Sequence, residues 1–313
     1  MKIVRDADGC GLEQPGVRRA VALGTFDGVH MGHRALISEV IVRARELDAR
    51  ASVATFDPMP LEVLRPSAAP LRLSTLEQRA ALIAEQDPDE LLIVRFDARL
   101  SALEPVQFVE QTLVRAMGAV WVVIGENFRF GRGAVGDAAV LAELGTTHGF
   151  GVSAVPLQRI DGERVSSSWI RELVSKGEVD HAARLLGRDP WLEGVVERGD
   201  ARGRELGVPT ANLAIERTSV RPARGVYAGM AVLQDGQRIP AAISVGWNPT
   251  FGEGRPLTVE AHLLDFSGDL YDQPLRLEFR KFLRHELRFE DIDELIAQMK
   301  LDIEQTRQLT RDG

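Results

Sequence analysis

Apolar and polar positions follow two different rhythms along this chain. Up to about residue 187, short apolar runs alternate with stretches whose apolar residues recur at helical spacing. The runs cover 20–26, 51–56, 91–96, 120–125 and 151–157, and the helical stretches cover 34–47, 76–85, 106–117 and 138–144. This alternation predicts α/β architecture, a doubly wound parallel sheet that binds ligands at the carboxyl ends of its strands. From Trp191 onward the runs are strand-like and bounded by turns. Asp235-Gly236, inside 231–242, reads as a hairpin turn with both residues at positive φ, and 257–266 and 275–282 continue the series. The tail, 289–310, reads as one amphipathic helix with Ile292, Leu295, Ile296, Met299, Ile303 and Thr306 on one face. The second half is therefore expected to be a small antiparallel β-barrel with a C-terminal helix. Helical stretches at 168–175 and 179–186 precede the boundary, which gives domains at 1–187 and 188–313.

Composition narrows the function classes. The 313 residues are 44% hydrophobic and 27% charged, with a formal net charge of −8. That is ordinary for a globular protein and carries no basic footprint for nucleic acid. Cys10 is the single cysteine, so disulfide frameworks within one chain are excluded and a reducing compartment is compatible. The N-terminus has no apolar core after its first charges, and no apolar run approaches the roughly 20 residues that span a bilayer. A cytoplasmic location without membrane contact is expected, and self-association is left open. His148, His181, His262 and His285 show no ligand spacing, so no transition metal is expected.

The chemistry begins at Leu23-Gly-Thr-Phe-Asp-Gly-Val-His-Met-Gly-His33, where an apolar strand turns into a helix. A helix N-terminus offers free N–H groups and a positive dipole end to phosphate. Imidazoles there can donate to charge developing on phosphorus, and His-x-Gly-His in this setting resembles the signature of nucleotidylyltransferases. A second segment, 123–131, carries Asn127, Phe128, Arg129 and Phe130 past a later strand. The two aromatics can wall a flat ring and Asn127 can read its edge, the alternative being that one phenylalanine is core. A third, 165–171, places Ser167 and Ser168 at a helix start with Arg171 one turn in, either a triphosphate clamp or a plain serine cap. Gly131-Arg-Gly-Ala-Val-Gly136 matches G-x-G-x-x-G, but it does not follow a strand directly and lacks the later acid of a dinucleotide site. It reads as a substrate loop.

In the second half, Gly199, Gly203 and Gly207 with Arg202 and Arg204 make a cationic loop suited to phosphates. It runs into Pro209-Thr210-Ala211-Asn212, whose neutral oxygens suit a Mg²⁺ ion already carrying phosphate. Glu260 alternates with Val259 and Ala261, so it shares a strand face with His262.

The segments G-x-F-D-G-V-H-x-G-H, G-x-N-F-x-F-G and S-S-S-x-I-R, in that order, resemble the FMN-adenylylating module of prokaryotic bifunctional riboflavin kinase/FAD synthetases. The G/R loop with P-T-A-N, the 245–252 segment, the strand around Glu260 and Leu283-Arg284 with the terminal helix resemble the riboflavin kinase module. The resemblance implies a Rossmann-like nucleotidylyltransferase domain followed by the barrel, acting on riboflavin, FMN and ATP with Mg²⁺. It implies that His30 and His33 stabilise the transition state and that Arg171 serves the same step. Gly24, Phe26, Gly32, Ser167 and Ser168 would bind ATP. Asp27, Asn127, Phe128, Arg129 and Phe130 would lie near the flavin substrate. In the kinase module Gly199, Arg202, Gly203, Arg204 and Gly207 would hold phosphates, Thr210 and Asn212 the metal, and Leu283 and Arg284 the flavin, with Glu260 as base. Two departures stand out. Phe56-Asp-Pro-Met-Pro60 has Met59 where family members commonly carry histidine, with Asp57 as a weak substitute, and Asp272 stands where related sequences often have a turn glycine. Rival readings are a protein with one active module and a flavin sensor without chemistry.

Overall fold

A computed structural model describes residues 1–5, 16–198, 208–246 and 258–311. They fall into two compact units, Met1–Ser167 and Ser168–Gly313.

The first unit contains β1 (Lys2–Arg5), β2 (Arg19–Leu23), α1 (Met31–Glu46), β3 (Arg50–Asp57), α2 (Pro60–Leu64) and α3 (Leu76–Ala84). It continues with β4 (Glu90–Arg95), α4 (Ala98–Ser101), α5 (Pro105–Phe108), β5 (Ala119–Gly125), α6 (Ala138–His148) and β6 (Gly151–Val155). A short hairpin, β7 (Arg159–Ile160) and β8 (Glu163–Arg164), leads to α7 (Ser167–Lys176). The sheet order is β1-β4-β3-β2-β5-β6, and its strand pairs are parallel. All five residues of β2 are buried, as a strand covered on both faces must be. The chain steps from β2 through β3 to β4, then returns past β2 to β5 and β6. The order reverses between β2 and β5, and the crevice at their carboxyl ends is where such sheets bind ligands.

Sequence periodicity predicts one α-helix over 106–117. The chain instead makes α5 and then a π-helical segment, Val109–Ala116, in which Met117 N–H donates to Thr112 O. The β7–β8 hairpin, not expected, turns on Asp161 (φ 51°) and Gly162 (φ 83°). Its Asp-Gly pair was the available signal.

The second unit opens with most of α7 and with α8 (Val179–Leu186). Then come β9 (Trp191–Glu197), β10 (Ala211–Ala214), β11 (Gly225–Val232), β12 (Arg238–Gly246), β13 (Thr258–Leu263) and β14 (Pro274–Arg284), ending in α9 (Ile292–Leu309). The six strands close a barrel in the order β10-β13-β12-β11-β14-β9, with antiparallel pairs. Val259, Ala261 and Leu263 point into its core while Glu260 and His262 take the other face. The β11–β12 turn corrects the expectation at Asp235. Only Gly236 is at positive φ, because Leu233 and Gln237 close a three-residue loop. Asp272, in the turn before β14, does adopt positive φ (62°).

On α9 the packed positions include Leu295, Ile296, Met299, Ile303 and Thr306, whereas Ile292 is exposed. Asp302 sits buried within that stripe. It is held by Arg284 at the end of β14, with Nε–Oδ1 at 2.9 Å and Nη2–Oδ2 at 2.6 Å.

Candidate active sites

The turn after β2 is built from backbone that side chains rarely adopt. Phe26 (φ 51°), Gly28 (φ 77°) and Val29 (φ 37°) all have positive φ, and for β-branched Val29 this is strained. What overrides the strain is a set of buried bonds. Asp27, fully buried, accepts from Leu73 N–H at 3.1 Å, Ser74 N–H at 3.0 Å and Ser74 Oγ–H at 3.2 Å. Gly28 N–H donates to Ser74 Oγ at 2.9 Å, and Ser167 Oγ–H donates to Asp27 O at 3.0 Å.

The turn delivers His30 as the N-cap of α1. Its Nδ1 accepts from His33 N–H at 3.2 Å, so the proton of a neutral ring lies on Nε2. The two imidazoles stack, with centroids 3.7 Å apart and planes 12° apart, and Phe26 lies 5.1 Å from His33. Gly32 makes room for the folded-back ring. A Cβ there would stand 3.2 Å from both Cε1 and Nδ1 of His30. That is the local reason for glycine in His-x-Gly-His.

β2 and β5 are hydrogen-bonded neighbours in parallel, so the turn after β5 opens at the same sheet edge as the histidines. It carries Asn127, exposed, with Phe128 half-buried. Phe130 is buried in the core, ringed by Phe108 and Phe128, so of the two candidate ring walls it is the one that belongs to packing. Arg129 pairs with Asp137 at 3.0 Å. The Asp137 carboxyl is lowered by the backbone N–H of Val140 and by Arg129. Ser168 lies in the first turn of α7 and Arg171 one turn in.

Beyond these, the structure adds a fully buried arginine that sequence reading did not single out. Arg79 on α3 donates from Nη1 to Thr25 O at 2.7 Å, to Thr55 Oγ1 at 3.0 Å and to Phe56 O at 3.4 Å. Burial pulls its guanidinium below the usual value, against the pull of nearby Asp27. The signal was its place on the apolar stripe of α3, with Leu76, Leu82 and Ile83. Met59 is buried beside the start of α2, where its N–H donates to Glu62 at 3.0 Å. Glu62 in turn takes two bonds of 2.6 Å from Arg72.

In the second unit, cross-strand register does the assembling. Asn212 on β10 stands opposite Glu260 on β13, and Ser244 of β12 stands opposite Glu260 on its other side. Thr210 Oγ1–H donates to Glu260 Oε2 at 3.3 Å. His262 donates from Nδ1 to Pro209 O at 2.9 Å, fixing the start of Pro-Thr-Ala-Asn. Among the described residues no three His, Cys, Asp or Glu side chains gather closely enough to hold a metal. Thr210, Asn212 and Glu260 nonetheless form a set of hard oxygen donors. Such a set fits a magnesium ion that takes its remaining ligands from a bound phosphate. Arg284 is engaged by Asp302 and His285 O, and Leu283 is half-buried at the end of β14. Gly199, Arg202, Gly203, Arg204 and Gly207, and most of the 245–252 segment, lie outside the described residues.

Comparison with known proteins agrees with this division. Residues 14–169 match the FAD synthetase family and residues 186–310 the riboflavin kinase family. A bifunctional riboflavin kinase/FMN adenylyltransferase of Pseudomonas fluorescens is 37% identical over 99% of this chain and 98% of its own. One of Escherichia coli K12 is 36% identical over 96% of each. A solved structure from Streptococcus pneumoniae, named a macrolide-efflux protein, is 30% identical with a TM-score of 0.89, covering 98% of this chain and 99% of that one. No helix among the described residues is long and apolar enough to cross a membrane.

Proposed function

Since the chain belongs to the family of bifunctional riboflavin kinases/FMN adenylyltransferases, we propose how its two motif clusters divide the work. The enzyme uses ATP twice, converting riboflavin to FMN and FMN to FAD. The functional boundary is assigned near residue 187, ahead of the barrel, although α8 and most of α7 belong to the same compact unit as the barrel, and the cytoplasm, where ATP is supplied, is the expected location.

Adenylyl transfer is assigned to the turn after β2. An FMN phosphate oxygen attacks the α-phosphorus of ATP in line, forming one P–O bond as the bond to pyrophosphate breaks. No covalent intermediate is required, so positioning and charge stabilisation carry the rate. His30 and His33 face the developing charge together with the N–H groups at the start of α1. Gly24, Phe26 and Gly32 shape that approach. Ser167, Ser168 and Arg171 are assigned to the triphosphate, and Asn127 and Phe128 to the flavin substrate.

Riboflavin phosphorylation is assigned to the face of β10 and β13. Glu260 accepts the proton of the ribityl 5′-hydroxyl as that oxygen attacks the γ-phosphorus and ADP leaves. Thr210 and Asn212 are the residues proposed to hold Mg²⁺, which when bound neutralises charge on the phosphate oxygens. Thr210 also orients the Glu260 carboxylate through their hydrogen bond.

The observation that carries this reading is that strand register sets Asn212 opposite Glu260 while Thr210 hydrogen-bonds its carboxylate. Purified enzyme with ATP and Mg²⁺ is expected to give FMN and FAD from riboflavin, and FAD from FMN, by chromatography. Glu260→Ala should abolish FMN formation while FAD formation from added FMN persists, and His30→Ala should do the reverse. Loss of both activities in either variant would overturn the division of labour.

A further inference from the structure

Buried arginines are costly unless their charge is met. Among the described residues Arg79 faces no carboxylate at hydrogen-bond distance, and its Nε and Nη2 have no partner. A fold that only needed to fill this space on α3 would place leucine or methionine there. Arg79 instead puts one nitrogen on three groups at the carboxyl edge of the sheet. Two belong to the end of β3 and one, Thr25 O, opens the strained turn that ends in His30. Thr55 Oγ1–H donates to the same carbonyl at 2.9 Å.

The segment leading into α3 grips that turn from the other side. Leu73 and Ser74 hold the Asp27 carboxylate, and Ser74 accepts from Gly28 N–H. A Cβ at Gly28 would come within 2.9 Å of Leu73, so the two segments are in close contact as well. Residues 73–79 thus clamp residues 25–28 at three points, Thr25, Asp27 and Gly28, and the two residues that follow are strained Val29 and the cap, His30.

We infer that Arg79 is a positioning residue for adenylyl transfer, acting through Thr25 and the clamped turn to set the stacked histidines over the α-phosphate. The inference rests on the assignment of that step to the histidine turn. Strain of this kind persists only where surrounding bonds over-determine it, and a displacement of about 1 Å in such a site costs on the order of a hundredfold in rate.

The test uses the full-length protein, whose riboflavin kinase activity reports folding in the same tube. Arg79→Met keeps the volume and removes the donors. It is expected to lower kcat for FAD formation about a hundredfold, with KM for ATP within threefold and kinase activity unchanged. Arg79→Lys, which can restore a donor to Thr25 O, should recover at least tenfold of that loss. Thr55→Val, which removes the second donor to the same carbonyl, should lower kcat by about tenfold. That variant carries the test if Arg79→Met yields no folded protein. Full FAD formation by Arg79→Met would overturn the inference while leaving the enzyme's assignment intact. Equal loss in the Met and Lys variants would overturn it too, since the effect would then be packing. Absence of FAD formation by the unmodified enzyme would instead remove the assignment on which it rests.

Discussion

Among the described residues two arginines are fully buried in the first unit, at opposite edges of one sheet, and they are treated in opposite ways. At the amino edge, Arg19 begins β2 and meets Glu90, which begins β4, at 2.7 Å. Arg50, which begins β3, holds the other carboxylate oxygen at 2.6 Å, Ser52 adds a bond of 3.2 Å, and Arg19 also donates to Met117 O. Every strand start in this cluster is tied to its neighbours by charge. At the carboxyl edge, Arg79 has no such counter-charge within hydrogen-bond distance among the described residues, and its Nη1 donates to two backbone carbonyls and the Thr55 hydroxyl beside the histidine turn. The difference separates stability from function within a single sheet. The amino edge pairs its buried arginine with a carboxylate, whereas the carboxyl edge tolerates an unmet charge where strain has to be held in place.

The comparison predicts a reversal between two variants of similar shape. Arg19→Met leaves Glu90 buried with one of its two cationic partners gone, and breaking such a pair costs about 3 kcal/mol. Amide exchange of β2–β4 should then quicken about a hundredfold. Arg79→Met leaves Thr25 O still bonded to Thr55 and removes a desolvated charge, so its cost should stay near 1 kcal/mol. If hydrogen exchange ranks the two variants the other way, Arg79 is a stabilising residue and the contrast between the edges fails.

Acid should weaken the amino edge through Glu90. Burial pushes the Glu90 carboxyl up, but the bonds from Arg19 and Arg50 outweigh it and hold the group below its usual value. A depressed carboxylate adds stability that is fully present above the unfolded value of about 4.3 and is lost as pH falls through the folded one. The first unit's unfolding free energy should therefore drop between pH 5 and pH 3, as monitored by exchange of the β2–β4 amides. Glu90→Gln should be less stable at pH 7 and show a shallower drop. An unchanged pH slope in that variant would mean that Glu90 is not the titrating group.

How much of this was legible in sequence depends on whether a residue obeyed its local pattern. The alternating runs predicted the parallel sheet because both-face burial makes its strands nearly continuously apolar, as in residues 20–23 of β2. The histidine turn was legible because His-x-Gly-His follows Gly-x-Phe-Asp-Gly-Val where a strand turns into a helix. Arg79 and Asp302 were not, although both were visible as charges on apolar helical stripes. Sequence spacing shows that such a residue faces the core but not which strand end it meets there. Asn212 and Glu260 likewise stand far apart in sequence, and only the register of β10 on β13 makes them neighbours. The assumed helix over 106–117 missed its π-helical half, since π and α windings bury nearly the same residues there.

A finer test lies inside the turn itself, where stability and rate should move apart. Gly32→Ala adds a better helix former to the first turn of α1, worth up to about 1 kcal/mol in favour of folding. Its Cβ would press on the His30 ring at 3.2 Å, so the stacked pair must shift. FAD formation should fall about tenfold, or about 1.4 kcal/mol of barrier, while FMN formation stays constant. A variant that is both as active and more stable would show that the ring's placement is not what glycine protects.

Met59 supplies the smallest expected effect and the baseline for this edge. It is buried like Arg79 and lies just past the carboxyl end of β3, but it carries no charge, and its backbone N–H rather than its side chain bonds Glu62. A thioether in that position packs and does not donate. Met59→Leu, a volume-conserving exchange, should cost under about 1.5 kcal/mol in stability and leave FAD formation within twofold. Side by side with Arg79→Met, it separates loss of donors from disturbance of a buried position at the same sheet edge. A tenfold loss of FAD formation in Met59→Leu would show that packing alone controls the turn, and the donors of Arg79 would then lose their claim to that role.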